Sequence, residues 1–203
     1  QISAGDYAEH FERFLSQGLD VLHVTLSSGI SGTYNSALAA RDLLAEKYPD
    51  RKVVVVDSLA ASSGYGLLVD RLADLRDEGL DEVAAWAEEH KLEVQHWFFS
   101  TDLTFFIRGG RISKAAGLMG GLLKICPVMD VAPDGSLAVK EKIRTKQRAI
   151  KRDLQIMEEL AQGGLDYSGK VYISQSECQK DARELANEIE AKFTHIDGLV
   201  RIW

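Results

Sequence analysis

Leu26–Ala37 reads LSSGISGTYNSA, five hydroxyl-bearing Ser and Thr residues, a tyrosine and two glycines between a run of β-formers and a helical pattern. Val21–Leu26 (VLHVTL) has the composition of a strand entering a core, and 34–47 carries Leu38, Leu43 and Leu44 at helical spacing. The hydroxyls therefore fall at a strand-to-helix turn. The first N–H groups of a helix have no intrahelical acceptor, so such a turn can hold an anion. Ser28, Ser31 and Thr33 would add hydroxyl donors, and Gly32 would let a ligand come close to the backbone. The same Ser31 would also serve as a plain N-cap, and the local pattern leaves both roles open. A second basic element follows a glycine pair: in Gly109-Gly110-Arg111-Ile112 the guanidinium could present its donors to a carboxylate or phosphate, or simply face solvent.

Familiar catalytic patterns do not fit these residues. Gly29-Ile30-Ser31-Gly32-Thr33 lacks the final glycine of a nucleophile elbow, no Walker A lysine motif occurs, and Gly64-Tyr65-Gly66 continues as Leu-Leu-Val rather than as a dinucleotide fingerprint. A Ser31 nucleophile would need a base, and His23 is the only nearby histidine. The five histidines and the two cysteines, Cys126 and Cys178, show no metal-ligand spacing. No metal and no cofactor are expected, and both thiols are expected to be free and buried.

A chain of 203 residues with 45% hydrophobic content can bury a sizeable core. No apolar run reaches membrane-spanning length and no signal peptide pattern opens the chain, so a cytoplasmic protein without a membrane span is expected. The net charge of −7 is uneven: residues 1–94 hold 8 basic against 17 acidic side chains, whereas 108–152 hold 11 basic against 3 acidic. A local +8 within an acidic chain suggests either a docking surface for an anionic partner or a solvated helix face. No helix-turn-helix or aromatic-interleaved pattern accompanies it, and nucleic acid is not expected as a partner.

The elements that must position these groups read as two domains. Residues 1–94 alternate helix (6–15), strand (21–26), helix (32–47), strand (52–57) and two helices (62–77 and 81–90), the order of an α/β domain with a parallel sheet. Both SSGISGT and DSLAASSG fall at carboxyl ends of strands, where such sheets bind ligands. Residues 95–203 read as an α+β domain: strand 96–100, a short helix or turn 103–108, helix 115–124, strands 127–131 and 137–143 around the turn Ala132-Pro133-Asp134-Gly135, helix 146–161, strand 170–174, helix 178–193 and strand 199–203. The glycines of GLMGGLLKI around Met119 suit either close helix packing or a smooth wall for an apolar ligand.

Four stretches together resemble the DegV family of bacterial fatty-acid-binding proteins: SSGISGTYNSA (27–37), VVVVDSLAASSGYG (53–66), DLTFFIRGGRIS (102–113) and GLLKICPVMDVAPDGSLAVKEKIRT (121–145). The resemblance implies a two-domain clamp with the acyl chain of a long-chain fatty acid in an apolar tunnel. It implies a carrier rather than an enzyme, the lipid-holding subunit that presents the acyl carboxylate to a separate ATP-using fatty acid kinase subunit for acyl phosphate formation. Ser28, Ser31, Gly32, Thr33 and Arg111 become the ligand-binding residues, and Arg111 and Arg144 resemble family arginines implicated in docking to the kinase. A Ser-dependent acyl hydrolase or transferase is the alternative. Family chains begin upstream with a strand and a Thr-Ser loop and continue into a His-Thr-Gly-Pro-Gly stretch. Neither is present here, so both domains are expected to lack a part and the chain alone to fold poorly or hold no lipid. Cys126 stands where many relatives carry lysine.

Overall fold

A computed structural model describes residues 2–113 and 125–203. The helix expected over 115–124, the glycines around Met119, and the basic residues Lys114 and Lys124 lie outside the described residues. The chain divides into two compact units, one formed by 1–61, 68–94 and 133–136, the other by 62–67, 95–132 and 137–203.

In the first unit, helix α1 spans Ala4–Leu15 rather than beginning at Asp6. Ser3 sets its start: the Asp6 N–H donates to Ser3 Oγ while Asp6 Oδ2 accepts the Ser3 N–H at 2.9 Å, a reciprocal capping box. The Ser3 hydroxyl, donating to Asp6 Oδ2 at 2.7 Å, and then the Ser3 N–H hold the Asp6 carboxyl below its ordinary range. Ser3→Ala should lower stability by about 1 kcal/mol, read as a drop in thermal midpoint. Tyr7, Phe11 and Leu15 recur at helical spacing and are buried, and they form one core cluster with Ala37, Ala40 and Leu44 of α2 (Thr33–Lys47). Val55 of β2 (Val53–Asp57) completes it.

Strand β1 (Val21–Thr25) pairs parallel with β2, in register from Val21↔Val53 to Thr25↔Asp57. Helix α3 (Ser62–Asp74), whose residues 62–67 fall in the second unit, is shorter than the sequence pattern suggests, because the chain tightens into a 3₁₀ turn at 76–78 before Gly79, whose φ of +105° breaks the helix. Helix α4 (Leu80–His90) packs back on both strands. Parallel strands joined through helices are thus realised as the sequence pattern requires.

In the second unit, β3 (Trp97–Phe99), β4 (Ile125–Val131) and β5 (Leu137–Arg144) form an antiparallel sheet with β4 central. The short helix α5 (Thr104–Arg108) follows β3. Val128 pairs with Glu141 but Met129 pairs with Val139, so Lys140 is the extra residue of a β-bulge, and its ammonium reaches Asp130 Oδ2 at 3.1 Å. One side of the sheet buries Cys126 and Val128 against Ala149 and Ile156 of α6 (Lys146–Leu160). Helix α7 (Gln179–Lys192) packs on α6 through Ala186, Ile189 and Leu154, with Phe193 and Val200 in the same cluster. The short parallel strands β6 (Tyr172–Ile173) and β7 (Arg201–Ile202) lie beside α7, each shorter than expected.

The two cysteines part company. Cys126 is buried, and burial pushes its thiol pKa up; Cys178 is exposed. The expectation of two buried thiols is corrected for Cys178, which sits just before α7 and off the Ala182–Ala186–Ile189 face that this helix turns to the core. Among the described residues, no helix is long and apolar enough to cross a membrane.

Candidate functional site

The loop after β1 is built by Ser27. This residue is fully buried, and all three of its polar groups are committed. Its N–H donates to the Ala60 carbonyl at 3.0 Å, its carbonyl accepts the N–H groups of Ile30 and Ser31, and its Oγ donates to the Gly135 carbonyl at 2.7 Å while accepting the Gly29 N–H at 3.1 Å. Asp57, buried at the end of β2, accepts the N–H of Ser28 at 3.1 Å and that of Leu59 at 3.1 Å. The two strand-end loops are therefore fastened to each other, and the buried carboxylate is satisfied by backbone donors.

These bonds deliver Ser31 and Thr33 to the start of α2. The N-cap is Gly32 rather than Ser31, and among the described residues no side chain caps the helix in the usual way. The Ser31 hydroxyl instead accepts the Thr33 N–H at 3.3 Å and donates to Thr33 Oγ1 at 3.2 Å. Both are long, so the hydroxyl pair holds its place without strong partners. The next N–H groups, of Tyr34 and Asn35, precede the first intrahelical acceptor, which serves Ser36 through Gly32. No acidic side chain occupies the first turn of α2. A 15-residue helix thus presents its positive end, flanked by two hydroxyls, without a carboxylate of its own to neutralise it. The Ser28 hydroxyl is exposed, and its amide is held by Asp57.

His23 does not support a Ser31 nucleophile. Its ring lies edge-on to Tyr7 at 5.0 Å and to Phe11 at 5.1 Å, burial lowers its pKa, and among the described residues its buried Nε2 meets no partner. It is a half-buried histidine packed on Tyr7 and Phe11 of α1.

Arg111 and Arg144 belong to the second unit. Arg111 is exposed, follows Gly110 at φ +73°, and donates through Nη1 to the Gly109 carbonyl at 2.6 Å. Arg144 is exposed at the end of β5, next to Thr145, a non-glycine residue at φ +74° that turns the chain into α6. The basic stretch is less free than its sequence suggests. Lys140 is paired with Asp130, Lys146 with Asp181 at 2.7 Å, and Arg152 with both Glu141 and Glu159. Asp181 and Glu159 both lie beyond residues 108–152, so these pairings lower the field that the local +8 implies.

Ser27, Asp57 and Gly135 do not stand out by residue type. An Asp-Ser pair at a strand end is the local signal for Asp57, since Asx turns accept backbone N–H groups two residues on. Nothing local in Pro133-Asp134-Gly135 shows that its carbonyl meets a serine 108 positions earlier.

Residues 1–200 match a family model described as an uncharacterised protein of the DegV family. The chain is 37% identical over 202 residues to a DegV domain-containing protein of Clostridium perfringens, covering 98% of this chain and 69% of that protein. It is 40% identical over 191 residues to the DegV domain-containing protein YteA of Lactococcus lactis, covering 91% of this chain and 66% of that one. Among solved structures, it is similar to the Streptococcus pneumoniae fatty acid kinase (Fak) B3 protein loaded with linoleic acid, with a TM-score of 0.87 and 28% identity over 99% of this chain and 69% of that one. It is likewise similar to DegV of Bacillus subtilis, a fatty acid binding protein, with a TM-score of 0.82 and 28% identity over 100% of this chain and 70% of that one. The chain spans about two thirds of the length of these relatives.

Proposed function

The chain belongs to the DegV family, and from that premise we propose that it binds a long-chain fatty acid, with the carboxylate at the start of α2 and the acyl chain in an apolar tunnel, and presents that carboxylate to a partner kinase subunit for acyl phosphate formation. The observation that carries this reading is the open N-terminus of α2, where the Ser31 and Thr33 hydroxyls flank the Tyr34 and Asn35 N–H groups, which no side chain among the described residues caps. A carboxylate there would accept charge-assisted hydrogen bonds from Ser31 Oγ, Thr33 Oγ1 and the backbone, and would gain from the helix dipole. The similar structures with bound fatty acid or a fatty-acid-binding description give the ligand class.

Affinity and orientation divide between the two ends of such a ligand. Each buried methylene contributes about 0.8 kcal/mol, so half-burial of a long chain already gives tight binding. The head group fixes which end meets the partner. Catalysis then resides in the ATP-using subunit, and this chain is the carrier. Calorimetric titration of the intact protein with a long-chain fatty acid tests the reading: saturable binding supports it, and its absence overturns it.

Arg111 and Arg144 are assigned to the partner contact, and Arg111 also to the ligand. Arg111→Glu or Arg144→Glu should weaken kinase engagement by about tenfold, as expected when one interfacial charge is reversed, while Arg144→Glu leaves lipid affinity intact. Surface plasmon resonance against the kinase subunit, alongside lipid titration, reads both. Lost lipid with unchanged partner affinity would reassign these arginines.

A further inference from the structure

The turn between β4 and β5 fastens the loop that leads to α2. Residues 133–136 belong to the same compact unit as that loop. Gly135 is buried and stands at φ +77°, a conformation that aims its carbonyl at Ser27 Oγ. A Cβ at Gly135 would collide with that hydroxyl, and a Cβ at Gly29 would lie 2.5 Å from the Gly135 carbonyl carbon. Both glycines are therefore required by close backbone approach. The turn is itself stiff, since Asp134 Oδ1 accepts both the Ser136 N–H at 2.9 Å and the Ser136 hydroxyl at 2.6 Å.

From this contact to Ser31 the path is short and fully bonded. Ser27 Oγ fixes the Gly29 amide, and the Ser27 carbonyl fixes the amides of Ile30 and Ser31. A shift at Ser27 must displace Ser31 relative to the N–H groups of α2. We propose that Ser27 and Gly135 are positioning residues for carboxylate recognition: their buried hydrogen bond holds Ser31 beside the open end of α2 before the ligand arrives, so that the head group meets a preorganised site. This rests on the head-group reading above. Neither residue touches the ligand; each acts through Ser31.

Titrating the intact protein with a long-chain fatty acid and with the matching fatty alcohol tests it, using Ser27→Ala, Gly135→Ala and, as reference, Ser31→Ala. Ser27→Ala and Gly135→Ala should each weaken acid binding by about fivefold, the equivalent of one neutral hydrogen bond, and leave alcohol binding unchanged. Equal losses for acid and alcohol, or no loss, overturn the proposal while leaving the head-group reading in place if Ser31→Ala is acid-selective. If Ser31→Ala is not acid-selective, the head-group reading fails and the positioning role falls with it. Hydrogen exchange at the Gly29 amide in the unmodified protein gives an answer even if neither variant folds. That amide should already be protected without ligand, because its bond to Ser27 Oγ is in place before the acid arrives; exchange at the unprotected rate until the acid is added overturns the proposal.

Discussion

Ser31→Ala is expected to cost about 1.5–3 kcal/mol of fatty acid affinity, the range for a hydrogen bond to a charged group, and much less for the corresponding alcohol. The asymmetry follows from the site. Ser31 Oγ now spends its hydrogen on Thr33 Oγ1 at 3.2 Å, a long neutral contact that a carboxylate oxygen would replace with a charge-assisted one. An alcohol offers no charge to the helix end, so it gains little from either the hydroxyl or the dipole. The acyl chain is the same in both ligands, and its burial cancels in the comparison. Side-by-side calorimetry of acid and alcohol on the two proteins reads the difference. Equal losses would place the carboxylate elsewhere.

Asp153→Asn should raise stability at pH 8 by a few kcal/mol and leave it nearly unchanged at pH 4. Asp153 lies on α6 between Ala149 and Ile156, the residues that pack on Cys126 and Val128, and its Oδ1 is buried without a partner among the described residues. Burial raises its pKa to about 7, with the Arg152 guanidinium lowering it only in part. A folded-state value above the unfolded one means that the native protein holds a proton the unfolded chain releases. Stability therefore falls as pH rises from about 4 to about 7 and is flat beyond, once both states are ionised. His96 works in the opposite sense: burial lowers its pKa to about 4, so its charging destabilises the native state at low pH and its contribution improves as pH rises from about 4 to about 6.5. The two slopes oppose each other over much of this window, and the total pH profile hides both. Subtracting the variant's denaturation free energy from the parent's at each pH isolates Asp153. A difference that does not grow between pH 4 and pH 8 would show that this carboxylate is solvated in the native state.

Much of this architecture is legible because burial imposes periodicity. Val53–Val56 is a continuous apolar run and becomes a strand covered by helices. Tyr7, Phe11 and Leu15 mark the buried face of α1, and Ser3 with Asp6 sets its true start. The helix start at Gly32 and the hydroxyl cluster before it are likewise readable, since strand-to-helix turns concentrate glycine and serine. What escapes the sequence depends on partners far along the chain. Lys140 becomes a bulge residue only because β4 and β5 pair with a shifted register, and nothing in VKEKIR announces it. Arg152 reads as part of a basic patch, yet its two carboxylate partners, 11 positions before it and 7 after, tie it down. Ser27 is indistinguishable by type from Ser28, although one is fully buried and hydrogen-bonded on every side and the other is exposed. The distinction is made by the Gly135 carbonyl, which no local pattern brings to it.

The most direct test of the central claim is mass spectrometry of the lipid released by denaturing the intact protein purified from a bacterial host. A carrier that holds the head group at Ser31 should release long-chain fatty acid with a free carboxylate, in near-stoichiometric amount, and the Ser31→Ala protein should release markedly less. Acyl groups recovered covalently on Ser31, or protein free of lipid that takes up none when fatty acid is supplied, would contradict it.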